Sequence, residues 1–152
     1  MRHSDFIRLC LAVMICMAHG GAAAFDLVIP DDMHAEAMAR PIEMKSAPTP
    51  NAPAIEILQP NIDGPLTGPV DILISWTAKD GASVDPTSLR VLYGMLRIDI
   101  TSRLMPYAKV TADGLEARSA RLPAGKHRLF ICITDSLARE SRREFVIEVA
   151  SK

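Results

Sequence analysis

The feature that most constrains the fold is a repeated alternation of apolar and polar residues in short segments beyond residue 54. In the clearest segment, Val70–Thr77, every second side chain from Val70 to Trp76 is large and apolar. A period of two is typical of a β-strand with one buried face. Turn-forming residues separate the segments, as at Asp63-Gly64-Pro65, Asp80-Gly81, Asp113-Gly114 and Pro123-Ala124-Gly125. We therefore predict an all-β domain over residues 54–150, an antiparallel β-sandwich of about seven strands.

The N-terminus follows a different pattern, that of a secretory signal peptide. A basic head with Arg2 and Arg8 precedes the apolar run Leu9–Ala18, and three alanines that end at Ala24 supply the small residues of a cleavage site. A membrane-spanning helix needs roughly 20 apolar residues, about twice the length of this run. We predict that residues 1–24 are a signal peptide, and that the mature chain is periplasmic or secreted and has no membrane span.

Residues 25–53 form an acidic, proline-rich segment that we predict to be a leader or linker. Its prolines lie close together, at Pro41, Pro48, Pro50 and Pro53. Because proline fixes φ and lacks a backbone N–H, this density of prolines favours an extended spacer. The first residues, Phe25–Ile29, are too apolar for a free tail, so we expect them to dock on the domain or on a partner.

The leader also gathers side chains that could hold a soft metal. Met33, His34, Met38 and Met44 offer the thioether and imidazole groups that suit copper in an exported protein. The spacing of the methionines, about five to six residues, follows no single helical face. A periplasmic copper-binding protein is therefore the alternative function. The simpler hypothesis is that these methionines are incidental or pack against the domain.

Several short motifs of the predicted domain occur together in one known family. They are Gly68-Pro69-Val70, Val84–Val91 (VDPTSLRV), Asp99–Arg103 (DITSR), Leu122–His127 (LPAGKH) and Thr134-Asp135-Ser136. With these motifs the chain resembles the bacterial immunoglobulin-like domains of exported and surface proteins. The resemblance implies an immunoglobulin-like sandwich but little about function, because this fold has many roles. Family members usually continue the last turn with Gly-Asn, where this chain has Ser136–Arg139.

The sequence carries no motif for catalysis or for a cofactor, and we predict neither. The G-x-S-x-G, H-E-x-x-H and phosphate-binding glycine patterns are absent. His127 and Cys132 are five residues apart on one predicted strand, so their side chains point to opposite faces and cannot form a catalytic dyad. Asp99 and Asp135 fall at strand ends, where we expect them to accept backbone N–H groups. A calcium site is the alternative, but the usual acidic cluster is missing.

The charge balance excludes one class of partner, and the strand pattern predicts where another class docks. With 17 basic and 18 acidic residues and no basic block, the chain is not expected to bind nucleic acid. The strand faces opposite the core carry four apolar residues among charged ones, namely Leu92, Phe130, Cys132 and Val146. Neighbouring strands would bring them into one patch, and an exposed apolar patch usually marks an interaction surface. The alternative is that Phe25–Ile29 folds back and covers the patch.

Together these patterns predict an exported, non-enzymatic binding or accessory module. Its partner would be another, unidentified envelope protein or a second copy of the chain. The copper-binding protein described above is the alternative from another functional class.

Overall fold

The computed structural model describes residues 23–39 and 49–151. The strands are β1 (Phe25–Asp26), β2 (Ala54–Gln59), β3 (Val70–Thr77), β4 (Val84–Tyr93), β5 (Ile98–Asp99), β6 (Ala108–Val110), β7 (Gly114–Arg121), β8 (Gly125–Asp135) and β9 (Glu140–Val149). The helical segments are α1 (Pro30–Met38), α2 (Thr101–Leu104) and a 3-10 turn at Met105–Tyr107. None of these described helices is long and apolar enough to cross a membrane.

The described strands form two sheets, so the predicted all-β fold is confirmed. One sheet has the order β1-β7-β3-β2, with β6 also paired to β7, and the other has the order β5-β4-β8-β9. The strand pairs are antiparallel apart from β1, which runs parallel to β7. Two largely antiparallel sheets that share one core are the layers of a β-sandwich.

The core lies between the two sheets and uses the alternation seen in the sequence. In β3 every second residue from Val70 to Trp76 is buried. The last two strands of the other sheet contribute a matching set of inward side chains, namely Leu129, Ile131, Ile133, Phe145, Ile147 and Val149. Side chains from both sheets belong to the same hydrophobic cluster, so one core stabilises the whole domain.

Acidic side chains stabilise the turns that end two strands, as the sequence predicts. The Asp99 carboxylate accepts the backbone N–H of Thr101 at 2.9 Å. The Asp135 carboxylate accepts the backbone N–H groups of Leu137 and Arg139, each at 3.0 Å. Burial raises the pKa of Asp135, but these hydrogen bonds and the Arg139 guanidinium outweigh burial and hold that pKa below its usual range. The described contacts of both carboxylates are thus those of turn-stabilising groups.

The N-terminal end of the predicted leader is part of the folded domain. β6 pairs with the first half of β7, and β1 occupies the other end of the same edge, with Phe25 beside Ala120. Phe25, Leu27 and Val28 join the main core, and the Phe25 ring stacks on Tyr107 with 4.3 Å between ring centroids. The change in composition near residue 54 therefore does not mark the edge of the core.

Two carboxylates attach α1 to the rest of the domain. Asp32 accepts the backbone N–H of Ile29 and forms a two-point ion pair with Arg103 of α2. Burial raises the pKa of Asp32, but the hydrogen bonds from Arg103 and Ile29 outweigh burial and lower it. Glu36 accepts the backbone N–H of Met95 at 2.6 Å, in the turn after β4. The helix therefore has a fixed position beside the β4–β5 turn.

Candidate functional site

The outer face of the four-stranded sheet carries an apolar cluster that is separate from the main core. Along β8, Leu129 and Ile131 point into the core, whereas Phe130 and Cys132 alternate with them and point outward. On the neighbouring strand β4, Leu92 is the pairing partner of Phe130. Leu92, Phe130 and Cys132 form one group, which we call the outer cluster.

The outer cluster is covered by arginine side chains. Leu92, Phe130 and Cys132 are 5%, 4% and 5% exposed. The Arg97 guanidinium lies over Phe130, 4.2 Å from the ring centroid. Arg142 Nε donates a hydrogen bond to Cys132 Sγ at 3.4 Å. These residues are therefore not the solvent-exposed patch that the strand pattern predicts, because long arginine side chains lie along the sheet and cover them.

The fourth residue predicted for the patch, Val146, lies at the margin of the outer cluster. It pairs with Arg128 across β8 and β9 and is 39% exposed. The structure thus brings together three of the four predicted residues, and the fourth is the one that solvent reaches.

The first residues of the predicted leader, Phe25–Ile29, do not cover the outer cluster. β1 pairs with β7, which belongs to the other sheet. Phe25, Leu27 and Val28 lie in the main core between the sheets. The alternative in which Phe25–Ile29 folds over the patch is therefore wrong, because these residues fill a gap at the β7 edge instead.

The turn between β4 and β5 positions Arg97 over the outer cluster. Gly94 N–H donates to the carbonyl oxygen of Arg128 at 2.9 Å, and Arg97 N–H donates to the carbonyl oxygen of Gly94 at 3.2 Å. Gly94 and Arg97 have φ angles of 69° and 52°. A left-handed backbone is uncommon for a residue with a side chain. In this turn the Arg97 side chain extends over the sheet and lies on the Phe130 ring. Arg97 is not identifiable from the sequence pattern; the one local sign of this turn is Gly94, directly after the predicted strand.

Charged pairs surround the outer cluster. The ion pairs are Lys126 with Glu148, Arg128 with Glu144, and Arg142 with Glu140, with N–O distances of 3.6, 3.5 and 3.4 Å. Exposed pairs of this kind contribute little to stability.

Arg97 Nη1 is buried and has no hydrogen-bond partner within residues 23–39 and 49–151. Because an unpaired buried donor is costly, Arg97 would gain from an acceptor on a binding partner.

The copper ligands predicted in the leader do not converge in the described part of the chain. Met33 is half-buried on α1 and packs against the core, whereas Met38 on the same helix is 73% exposed. His34 is exposed, and Met44 lies outside the described residues. No group of three or more His, Cys, Asp or Glu side chains that could hold a metal ion occurs in the residues that the structure describes.

His127 forms a buried polar pair with Tyr93 on the core face of the sheet. His127 Nε2–H donates to the carbonyl oxygen of Pro123 at 2.7 Å, and the Tyr93 hydroxyl donates to Nδ1 at 3.3 Å, the arrangement of a neutral imidazole. Burial lowers the pKa of His127, although the hydrogen bond to Pro123 opposes this effect. Burial raises the pKa of Tyr93, and the charges of Glu36 and Asp32 add to the increase. Cys132 lies on the opposite face, as the spacing predicts.

Comparison with known proteins adds no assignment. No protein-family model matches the chain, and no curated protein is significantly similar to it in sequence. The function is therefore inferred from the fold and from the outer face of the four-stranded sheet.

Proposed function

We propose that the protein is an exported, non-enzymatic accessory module with an immunoglobulin-like fold. In this proposal the outer face of the four-stranded sheet docks on another envelope protein. The observation that carries the proposal is the outer cluster, an apolar group outside the core that arginine side chains cover in the described part of the chain.

The strand order supports the immunoglobulin-like part of the proposal. In that fold, strands A, B, E and D form one sheet, and C, F and G form the other, which strand C′ can extend. Here the orders are β2-β3-β7-β6 and β5-β4-β8-β9. If β2 to β9 are taken in turn as A, B, C, C′, D, E, F and G, both orders are reproduced. The short strand β1 is then an addition before strand A.

The position of Phe25 supports the predicted cleavage site. Phe25 is the first residue of β1 and is buried, whereas Ala23 before it is exposed. Cleavage after Ala24 would leave β1 and the core residues Leu27 and Val28 intact. Intact mass measurement of the protein from a periplasmic extract should give a chain that begins at Phe25. A chain that retains Met1 would contradict the proposed export.

The arginine cover supports docking through the outer face. The backbone of Arg97 lies in the β4–β5 turn, and its half-buried side chain places the guanidinium over the Phe130 ring. A cation–π interaction of this kind is worth about 0.5–1 kcal/mol at exposed sites and about 2 kcal/mol or more when it is desolvated. Rotation of one side chain would therefore uncover the ring at a modest cost. A partner that supplies a carboxylate to Arg97 and an apolar side chain to Phe130 would satisfy both groups.

The described methionines favour this proposal over copper binding. Met33 and Met38 lie on different sides of α1: Met33 is half-buried and packs against the core, whereas Met38 is exposed. Deleting the leader would not separate the two hypotheses, since Phe25, Leu27 and Val28 belong to the core.

Single charge reversals on the two sheets test the docking proposal. The tagged mature protein, Arg97→Glu and the matched control Arg118→Glu would be used to capture partners from an envelope extract after cross-linking. Arg118 lies on the outer face of the other sheet and its side chain is 68% exposed. We expect a partner that is recovered with the wild type and Arg118→Glu but lost with Arg97→Glu. Equal recovery with all three proteins would contradict docking through the outer face.

A further inference from the structure

Among the residues that the structure describes, none pairs with the N-terminal part of β9 at the free edge of the four-stranded sheet. In the described chain, β9 pairs with β8 on one side. On its other side, Leu66 N–H donates to the carbonyl oxygen of Glu148 at 2.7 Å, and Ala150 N–H donates to the carbonyl oxygen of Leu66 at 2.9 Å. Backbone groups alternate in direction along a strand, so those of Glu144 and Val146 point to the same edge as those of Glu148.

We propose that this edge pairs antiparallel with β9 of a second copy of the chain, which joins two four-stranded sheets across a two-fold axis. Leu66 covers the C-terminal end of the strand, so the pairing is confined to residues 140–146. Closed two-fold symmetry is the commonest form of self-association, and an open strand edge is a ready template for it.

The charges on the outer face select the register. With the axis at Arg143, Arg142 lies opposite Glu144 of the second copy, and the same pair occurs again across the axis. With the axis one residue further, Glu144 would lie opposite itself. Directly opposite strand residues attract when their charges differ and repel when they are alike. The register centred on Arg143 therefore has two favourable pairs on the outer face, which the neighbouring registers lack.

Arg143 limits the strength of this dimer. It is the pairing partner of Ile131, so it lies on the core side of β9, and its side chain is exposed. An inward charge on an edge strand is one way in which proteins restrain edge pairing. In the proposed register the two Arg143 side chains face each other across the axis. We therefore expect a weak, reversible dimer that becomes tighter when Arg143 is replaced by Ser.

The inference goes beyond the proposed docking function and does not depend on it. It uses the backbone edge of β9, whereas Arg97 lies after β4, two strands away in the sheet order. The Arg97→Glu variant should therefore dimerise like the wild type, and the two proposals can fail separately.

Charge exchange across the axis is the first test. Sedimentation of the mature protein should show that Arg142→Glu and Glu144→Arg each weaken dimerisation about tenfold, because each change places like charges opposite each other twice. The double variant R142E/E144R restores opposite charges and should recover most of the wild-type affinity. A double variant as weak as the single ones, or no dimer at all at about millimolar concentration, would overturn the proposal.

Cysteine substitutions at three consecutive positions of β9 test directly which residues of the two copies lie opposite each other. Opposite residues of a non-hydrogen-bonded antiparallel pair have Cα atoms about 4.5 Å apart, within the range of a disulfide. Under mild oxidation Arg143→Cys should form a dimer that a reductant dissolves, and Arg142→Cys and Glu144→Cys should not. Each variant is made in a Cys132→Ser background, because Cys132 is the pairing partner of Arg142 and would form a disulfide with Arg142→Cys within one chain. Equal cross-linking at all three positions, or cross-linking at Glu144→Cys alone, would contradict the register.

Discussion

The two faces of β8 show two ways to bury an apolar side chain. On the inner face, Ile131 and Ile133 are 1% and 0% exposed and pack against the opposite sheet. On the outer face, Phe130 and Cys132 are nearly as buried, at 4% and 5%, but arginine side chains provide their cover. The exposed fraction is thus similar, whereas the covering groups differ in how easily they can move. Burial alone therefore does not separate a core from a surface that a partner can uncover.

The largest expected difference between the faces is in unfolding free energy. Ile131→Ala should destabilise the protein by about 3–4 kcal/mol, because it opens a cavity between two sheets. Phe130→Ala removes a larger side chain but should cost only about 1–2 kcal/mol, because the loss of apolar burial remains while no enclosed cavity is left once Arg97 moves and water enters. Urea unfolding of both variants measures the difference. If Phe130→Ala is as destabilising as Ile131→Ala, the outer cluster behaves as part of the core, and the two faces of β8 do not differ in how easily they are uncovered.

The inner face is largely predictable from sequence, and the outer face is not. The alternation over Val70–Thr77 places the core side of β3 without further information, because a strand has a period of two. The same rule assigns Phe130 to the outer face but leaves open what lies above it. Arg97 reaches the Phe130 ring only because of a left-handed turn at Gly94 and Arg97, which local pattern does not encode.

The predicted leader is a second region whose packing the sequence pattern does not give. Its composition indicates an extended spacer, whereas residues 25–39 contain a strand and a helix. Much of the proline-rich part, residues 40–48, lies outside the described residues. Phe25, Leu27 and Val28 are apolar enough to suggest docking, as the sequence analysis expects. Their place is set by the end of the β7 edge that β6 leaves unpaired, which is a property of the assembled sheet. Tertiary context therefore decides where this segment packs.

The second prediction concerns a polar group on the inner face. His127 is fully buried and neutral, and burial lowers its pKa below the ordinary value. The unfolded chain takes up a proton near the ordinary histidine pKa of about 6.5, whereas the folded chain does so only at lower pH. The unfolded state therefore binds more protons in this range, and stability falls as pH decreases through it. Melting temperatures at pH 7.5 and about 5.5 should show this decrease.

Two variants separate His127 from other titrating groups. His127→Gln should be less stable at pH 7.5, because it loses the fitted hydrogen bonds to Tyr93 and Pro123, but its melting temperature should change less between the two pH values. His34→Ala, on the exposed side of α1, should retain the wild-type dependence. A wild-type dependence in His127→Gln would mean that carboxylates rather than His127 cause the decrease.

The smallest expected effect is a change in the rate at which a thiol reagent labels Cys132. It is also the most direct test of whether arginine side chains cover the outer cluster. The Cys132 thiol lies under Arg142, so the folded protein should react slowly with a thiol reagent. Arg142→Ala should increase the labelling rate severalfold with little change in unfolding free energy, because it removes cover and leaves the sheet intact. Arg143→Ala, the neighbouring arginine on the other face of β9, should label like the wild type. If the labelling rate is the same in Arg142→Ala and the wild type and increases only with denaturant, the reagent reaches Cys132 only when the protein unfolds. In that case the outer cluster would be as permanently covered as the inner face, and docking through it would require more than side-chain rotation.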